Sequence, residues 1–213
     1  MPEGRPRRLV LALYLLGANV LWGTSFVATK TALTSFSPGS VMWLRWMVAT
    51  LVFIPFWRRV PRPQYRRGDW KLLLLAAAFI PCLYYLLEGF ALRYTTSGQA
   101  GVISAVYPLL VAVGAWMFLK ERLNRRGAVG IALSLIGVAI LSFTGPAQEA
   151  APHPVLGNVL EFVAMVSGAG SALAIKRLSP RYGAWFLTGM QAAVGCVFFL
   201  PFAMASGPAD WLH

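Results

Sequence analysis

The 213-residue sequence predicts an all-α polytopic membrane protein, a helical bundle of about seven transmembrane helices. Three observations carry that class: the composition, the length of the apolar runs and the placement of the basic residues. Hydrophobic residues make up 58% of the chain and charged residues 12%, against roughly 25% charged in a soluble domain. Mean hydropathy is +0.63. A soluble chain of this length has too little interior to hide so much apolar surface. The apolar residues also gather into runs near the roughly 20 residues that carry a helix across a bilayer.

Seven such runs follow one another, at 9–29, 40–57, 72–92, 96–119, 127–143, 155–175 and 184–205. The first starts after MPEGRPRR, like a secretory signal. Its apolar stretch continues through Val27 and Ala28, however, too far for a signal and right for an uncleaved span. The second closes on FIPF at 53–56. The third and fourth carry Pro81 and Pro108, and proline interrupts the backbone ladder and helps bend a helix around a cavity. The fifth is near the short limit and is expected to borrow a turn from its flanks. Gly130 and Ser134 there, and GAGS at 168–171 in the sixth, have the small-residue spacing of close helix contacts. Trp43, Trp57, Trp70 and Trp211, near span ends, suit an interfacial aromatic belt.

The net charge of +12 reports topology. Arg5, Arg7 and Arg8 precede the first span. Arg58, Arg59, Arg62, Arg66, Arg67 and Lys71 lie between the second and third. Lys120, Arg122, Arg125 and Arg126 separate the fourth from the fifth, and Lys176, Arg177 and Arg181 lie near the inner turn after the sixth. The opposite side holds Lys30 and Arg93, each beside a span. By the positive-inside rule the N-terminus is expected in the cytoplasm of a cell (cytoplasmic or inner) membrane. A nucleic-acid partner is not expected, because the charge is divided among loops on one side. Cys82 and Cys196 fall mid-span and read as packing residues. His153 and His213 lie in outer segments, and no HExxH or CxxC spacing occurs. Neither a metal, a cofactor nor an enzyme is expected.

The chain also repeats itself. FIPF at 53–56 returns as FLPF at 199–202, 146 positions on, and at the same offset Ser25 meets Ser171 and Lys30 meets Lys176. Five spans separate the copies, an odd number, so the copies are expected to run in opposite directions. Inverted repeats of this kind are a recurring plan of secondary transporters.

YTTSGQAGVISAVYPLLVAVGAWMFLKERLNRRGAVGIALSLIGVAIL (94–141) resembles the last two helices of an EamA-type domain of the drug/metabolite transporter superfamily. LWGTSFVATKTAL (21–33) and SPGSVMWLRWMVATLVFIPF (37–56) resemble the first two helices of that domain. LGNVLEFVAMVSGAGSALAIKRL (156–178) is similar to the opening helix of a second one. The resemblance implies a ten-helix inverted-repeat (5+5) fold and outward transport of small metabolites such as amino acids or related amphipathic compounds. It divides the chain into a first five-helix repeat (1–143), an outer linker (144–154) and the first two helices of a second repeat (155–213). On that division three helices of the second repeat are not in the sequence. The faces at Glu161, Gln191 and 168–171 are then expected to meet lipid, unless a homodimer or the missing C-terminal helices cover them.

Ionisable side chains inside a span are costly and usually face the bundle interior or a cavity. Arg45, Glu88 and Glu161 are the three. Arg45 and Glu88 sit at comparable depth on consecutive antiparallel spans, which suits either a structural ion pair or an anchor for the two ends of a zwitterionic substrate. Tyr84 is one turn from Glu88, Tyr107 flanks Pro108, Gln99 lies above it, and Asn19 and Trp22 share a stripe with Phe26. These eight are the candidate pathway residues, with a small molecule and the lipid bilayer as partners. Two other classes stay open, a transport-incompetent fragment or subunit needing a partner and a seven-helix receptor, although the last span has no lysine for a Schiff base.

Overall fold

The computed structural model describes residues 4–60, 63–122, 125–144 and 151–206. Trp211, His213, Arg62 and most of the outer linker lie outside the described residues. All seven expected spans are present. They comprise α1 (Gly4–Ala32), α2 (Pro38–Phe53), α3 (Asp69–Ala77), α4 (Tyr84–Tyr94), α5 (Ser97–Ser104), α6 (Tyr107–Leu119), α7 (Arg125–Thr144), α8 (Pro154–Leu178) and α9 (Ala184–Ala205). A 3₁₀ segment, Ile54–Arg59, extends α2, and a π-helical segment, Ala78–Leu83, joins α3 to α4. No extended strand occurs among the described residues.

The spans begin and end where local chemistry dictates. Ser37 caps α2, its hydroxyl accepting from the Ser40 amide, with Pro38 in the first turn. Thr96 caps α5 in the same way through the Gln99 amide. Gly68, at φ +99°, turns the chain into α3 through the left-handed region. Lys120 adopts the same region where α6 stops.

The third and fourth spans are broken, as Pro81 and Pro108 predict. Ile80 has extended dihedrals inside the third, and Pro81 brings no N–H to the ladder. Neighbouring helices close the gap. Ser171 donates to the Ala76 carbonyl, Ser167 to that of Phe79, and Gln191 Nε2 to that of Ile80, each at 3.0 Å. In the fourth span α5 ends at Ser104 and α6 begins at Tyr107, with Pro108 in its first turn.

Around these breaks α8 forms the axis of the bundle, packed by α3, α4, α5 and α6. α1 and α7 lie on the outside, most of their apolar surface turned outward. α2 and α9 form the most extensive helix pair and run antiparallel. Ser37, before α2, bonds Ser206, after α9, while the rings of Phe53 and Phe56 pack at a tilt against Trp185 at the other end.

Two expectations are corrected. Glu161 is 0% exposed and Gln191 9%, and Gly168, Ala169 and Ser171 are buried. These faces do not meet lipid, because α4 and the broken third span cover α8, and α2 covers α9. Gly168 sits on Tyr84 and Tyr107, and Gly170 on Phe79, so 168–171 is a close contact as expected. Gly130 is not: a methyl group built there meets nothing within 4 Å. The spacing of Gly130 and Ser134 recurs on a helix that borders the bundle without being pressed into it.

Candidate functional site

Glu88 lies on α4 one turn beyond Tyr84 and Tyr85, so all three side chains leave the helix toward the same side. Across from them α2 delivers Arg45. Its Nη1 donates to Glu88 Oε1 at 2.9 Å and to Thr29 Oγ1 of α1 at 2.8 Å, and its guanidinium lies 4.9 Å from the Tyr85 ring centre. Three spans thus meet on one cation. Breaking such a pair from one side strands a charge, at a cost of about 3–5 kcal/mol.

Glu161 of α8 is the second carboxylate. Both of its oxygens are buried without a hydrogen-bond partner, and so is the Tyr84 hydroxyl. Glu88 lies within electrostatic range of Glu161, and Tyr84 within range of both. Gly168, two turns from Glu161, receives the rings of Tyr84 and Tyr107. Trp22 of α1 closes this side by packing edge-on against Tyr107, ring centres 5.5 Å apart. The structure therefore gathers Arg45, Glu88, Tyr84, Glu161, Tyr107 and Trp22 around one face of α8.

Two expected residues are elsewhere. Asn19 is exposed and donates to the Leu15 carbonyl of its own helix, because its position on α1 precedes the part that touches the bundle. Gln99 belongs to a polar cluster at the end of the bundle where α4 stops and α8 begins: Thr95 Oγ1 lies 2.6 Å from Gln99 Oε1 and 2.5 Å from Asn158 Oδ1. Asn158 Nδ2 continues the chain to Ser142 at 3.1 Å. Beside it Lys30 Nζ donates to the carbonyls of Leu92 and Thr95, at 2.5 and 2.9 Å, where α4 ends. Thr29, Thr95, Asn158 and Ser142 were not among the expected site residues, because short polar residues look ordinary in a span until their partners are known.

The other end is tied by charge. Asp69 accepts two bonds from Arg181, at 2.6 and 3.1 Å, one from Tyr182 Oη and one from the Arg66 amide. The bond to Asp69 raises the Arg181 pKa and keeps that guanidinium firmly charged. Glu121 pairs with Lys176, and Arg177 donates to the Phe118 carbonyl at the end of α6. Between α3, α6 and α8 lies an apolar groove of about 480 Å³, lined by residues such as Leu75, Phe79, Leu110, Met117 and Leu173.

A family model, the EamA-like transporter family, matches residues 9–143. Among curated proteins the chain is similar to the uncharacterized transporter YetK of Bacillus subtilis, 27% identical over 92% of this chain and 58% of that protein. It is also similar to an uncharacterized transporter of Archaeoglobus fulgidus, 29% identical over 95% of this chain and 68% of that protein. Similarity to the uncharacterized transporter YvbV of Bacillus subtilis is 26% over 89% and 61%. The chain thus spans about three-fifths of the length of these relatives.

Proposed function

Because the chain belongs to the EamA-like transporter family and is a multi-pass membrane protein, we propose that it serves a carrier that exports small metabolites. Amino acids or related amphipathic compounds are the proposed cargo, and alternating access between inverted repeats is the proposed mechanism. The observation that carries this reading is the Arg45–Glu88 pair with the unpaired Glu161 beside it. One cation and two carboxylates, lined by Tyr84 and Tyr107, suit the ammonium and carboxylate ends of a zwitterion. Broken helices next to such a site fit the plan by which discontinuous spans serve transporter sites. The proposed orientation has the N-terminus in the cytoplasm and the basic loops inside, as the positive-inside rule favours.

A second reading treats these seven spans as a part that works only with further helices or with a second copy. It is favoured by the bare outer faces of α1 and α7 and by the greater length of the relatives. Export of amino acids from peptide-loaded cells tests both. Efflux above the empty-vector level, lost on Glu88→Gln while the protein still inserts, supports the carrier. Efflux that appears only when the rest of a relative's chain is appended supports the second reading. Wild-type efflux from Glu88→Gln removes Glu88 from the site.

A further inference from the structure

Among the described residues, the cluster beside α8 holds two acids, Glu88 and Glu161, and one base, Arg45. Arg45 pairs with Glu88 through a charged hydrogen bond of 2.9 Å, whereas Glu161, on the same face, is 0% exposed and has no hydrogen-bond partner. Among the described residues its surroundings bring no unengaged base within hydrogen-bond reach, and the π-helical segment packed on α8 adds only the Cys82 thiol. α4 presents Glu88, Tyr84 and Tyr85, and α6 presents Tyr107. α2 presents Arg45, already shared between Glu88 and Thr29. α5, from Ser97 to Ser104, contains no titratable side chain. Lys30 is engaged at the Leu92 and Thr95 carbonyls, and Asp69 of α3 with Arg181. An ionised carboxylate in such a place has neither solvent nor counter-charge, and the charged form gives way to the neutral one.

We propose that Glu161 is a proton-binding site: in this closed arrangement its carboxyl carries a proton, and it releases that proton when α8 parts from α4 and admits water. The release breaks the O–H bond, leaves the electron pair on the carboxylate and passes the proton to the entering water. The proton makes the cluster neutral, with Arg45 matched to Glu88 and Glu161 uncharged. Its loss leaves one net negative charge beside Tyr84. The inference rests on the transporter reading only for its use, since a proton site in this position would couple transport to a proton gradient.

The test needs no substrate. Infrared spectra of the full 213-residue chain in lipid nanodiscs, at neutral pH in H₂O and D₂O, read protonated carboxyl groups directly. Wild type should show a protonated-carboxyl band that shifts on deuteration, is lost in Glu161→Gln and moves in frequency in Glu161→Asp. Glu88→Gln should keep it. Glutamine has the shape of the neutral acid, so Glu161→Gln is expected to fold. Should it not, the frequency shift in Glu161→Asp makes the same assignment. A wild-type spectrum without the band, or a band unchanged in both Glu161 variants, overturns the proposal. A band without metabolite efflux would leave the proton site standing and count against the transporter reading alone.

Discussion

Gln191 of α9 donates to the carbonyl of Ile80, the residue whose extended dihedrals break the third span, at 3.0 Å. The same nitrogen lies 3.2 Å from Ser171 Oγ, which donates in turn to Ala76. At the 146-residue offset Gln191 occupies the place of Arg45. Arg45 binds a carboxylate, and Gln191, its counterpart in the proposed repeat, binds the backbone of a broken helix.

Replacing Gln191 by Leu should therefore weaken the fold without touching the ion pair. A buried carbonyl left without its donor costs about 1–3 kcal/mol, and interhelical hydrogen bonds in membranes average nearer 0.6 kcal/mol. A loss of about 1 kcal/mol, measured by unfolding in mixed micelles, is the expected result. A variant as stable as wild type would show that the third span holds its break unaided.

Arg45 and Glu88 should behave as a coupled pair. Arg45→Ala strands the Glu88 carboxylate and should cost about 3–5 kcal/mol, seen as poor accumulation. Arg45→Ala with Glu88→Gln should recover part of that loss. Additive losses in the double-mutant cycle would rule the coupling out.

Glycine contacts make a paired prediction. A methyl group at Gly195 would lie 2.5 Å from Trp46 Cδ2 and 2.9 Å from Pro81 Cβ, whereas one at Gly130 meets nothing within 4 Å. Gly195→Ala should destabilise by about 1–3 kcal/mol through overpacking. Gly130→Ala should be neutral or stabilising, because alanine favours helix over glycine by up to about 1 kcal/mol. Reversed signs in thermal unfolding would contradict the packing described.

Reporter fusions check the orientation. Fusions after Arg67, Arg125 and Lys176 should report cytoplasm, and fusions near His153 and His213 the outside. A cytoplasmic His153 would break the proposed orientation and the inverted repeat with it.

The spans were legible because a bilayer sets both length and composition, and those survive in one dimension. The breaks at Pro81 and Pro108 were legible because proline removes a donor wherever it stands. Arg45 and Glu88 could be matched by counting depth along adjacent antiparallel helices. The burial of Glu161 and Gln191 could not. In a span apolar on every side, the sequence does not mark which face meets protein and which meets lipid. The mistaken contact at Gly130 has the same origin, and so does Asn19, whose stripe leads to the bundle only from Trp22 onward. Asn158 and Thr95 were invisible because their meeting depends on where α8 enters beside α4.

The break before Pro81 divides the third span into two levers that share a joint. A continuous ladder makes a helix stiff, so that a tilt at one end is a tilt at the other. Here the α3 lever is anchored through Asp69 to Arg181, and the α4 lever through Glu88 to Arg45 and through its last carbonyls to Lys30. The joint itself is laced to α8 and α9 by Ser167, Ser171 and Gln191. The joint is thus held by α8 and α9, while the buried charges hold only the lever beyond it.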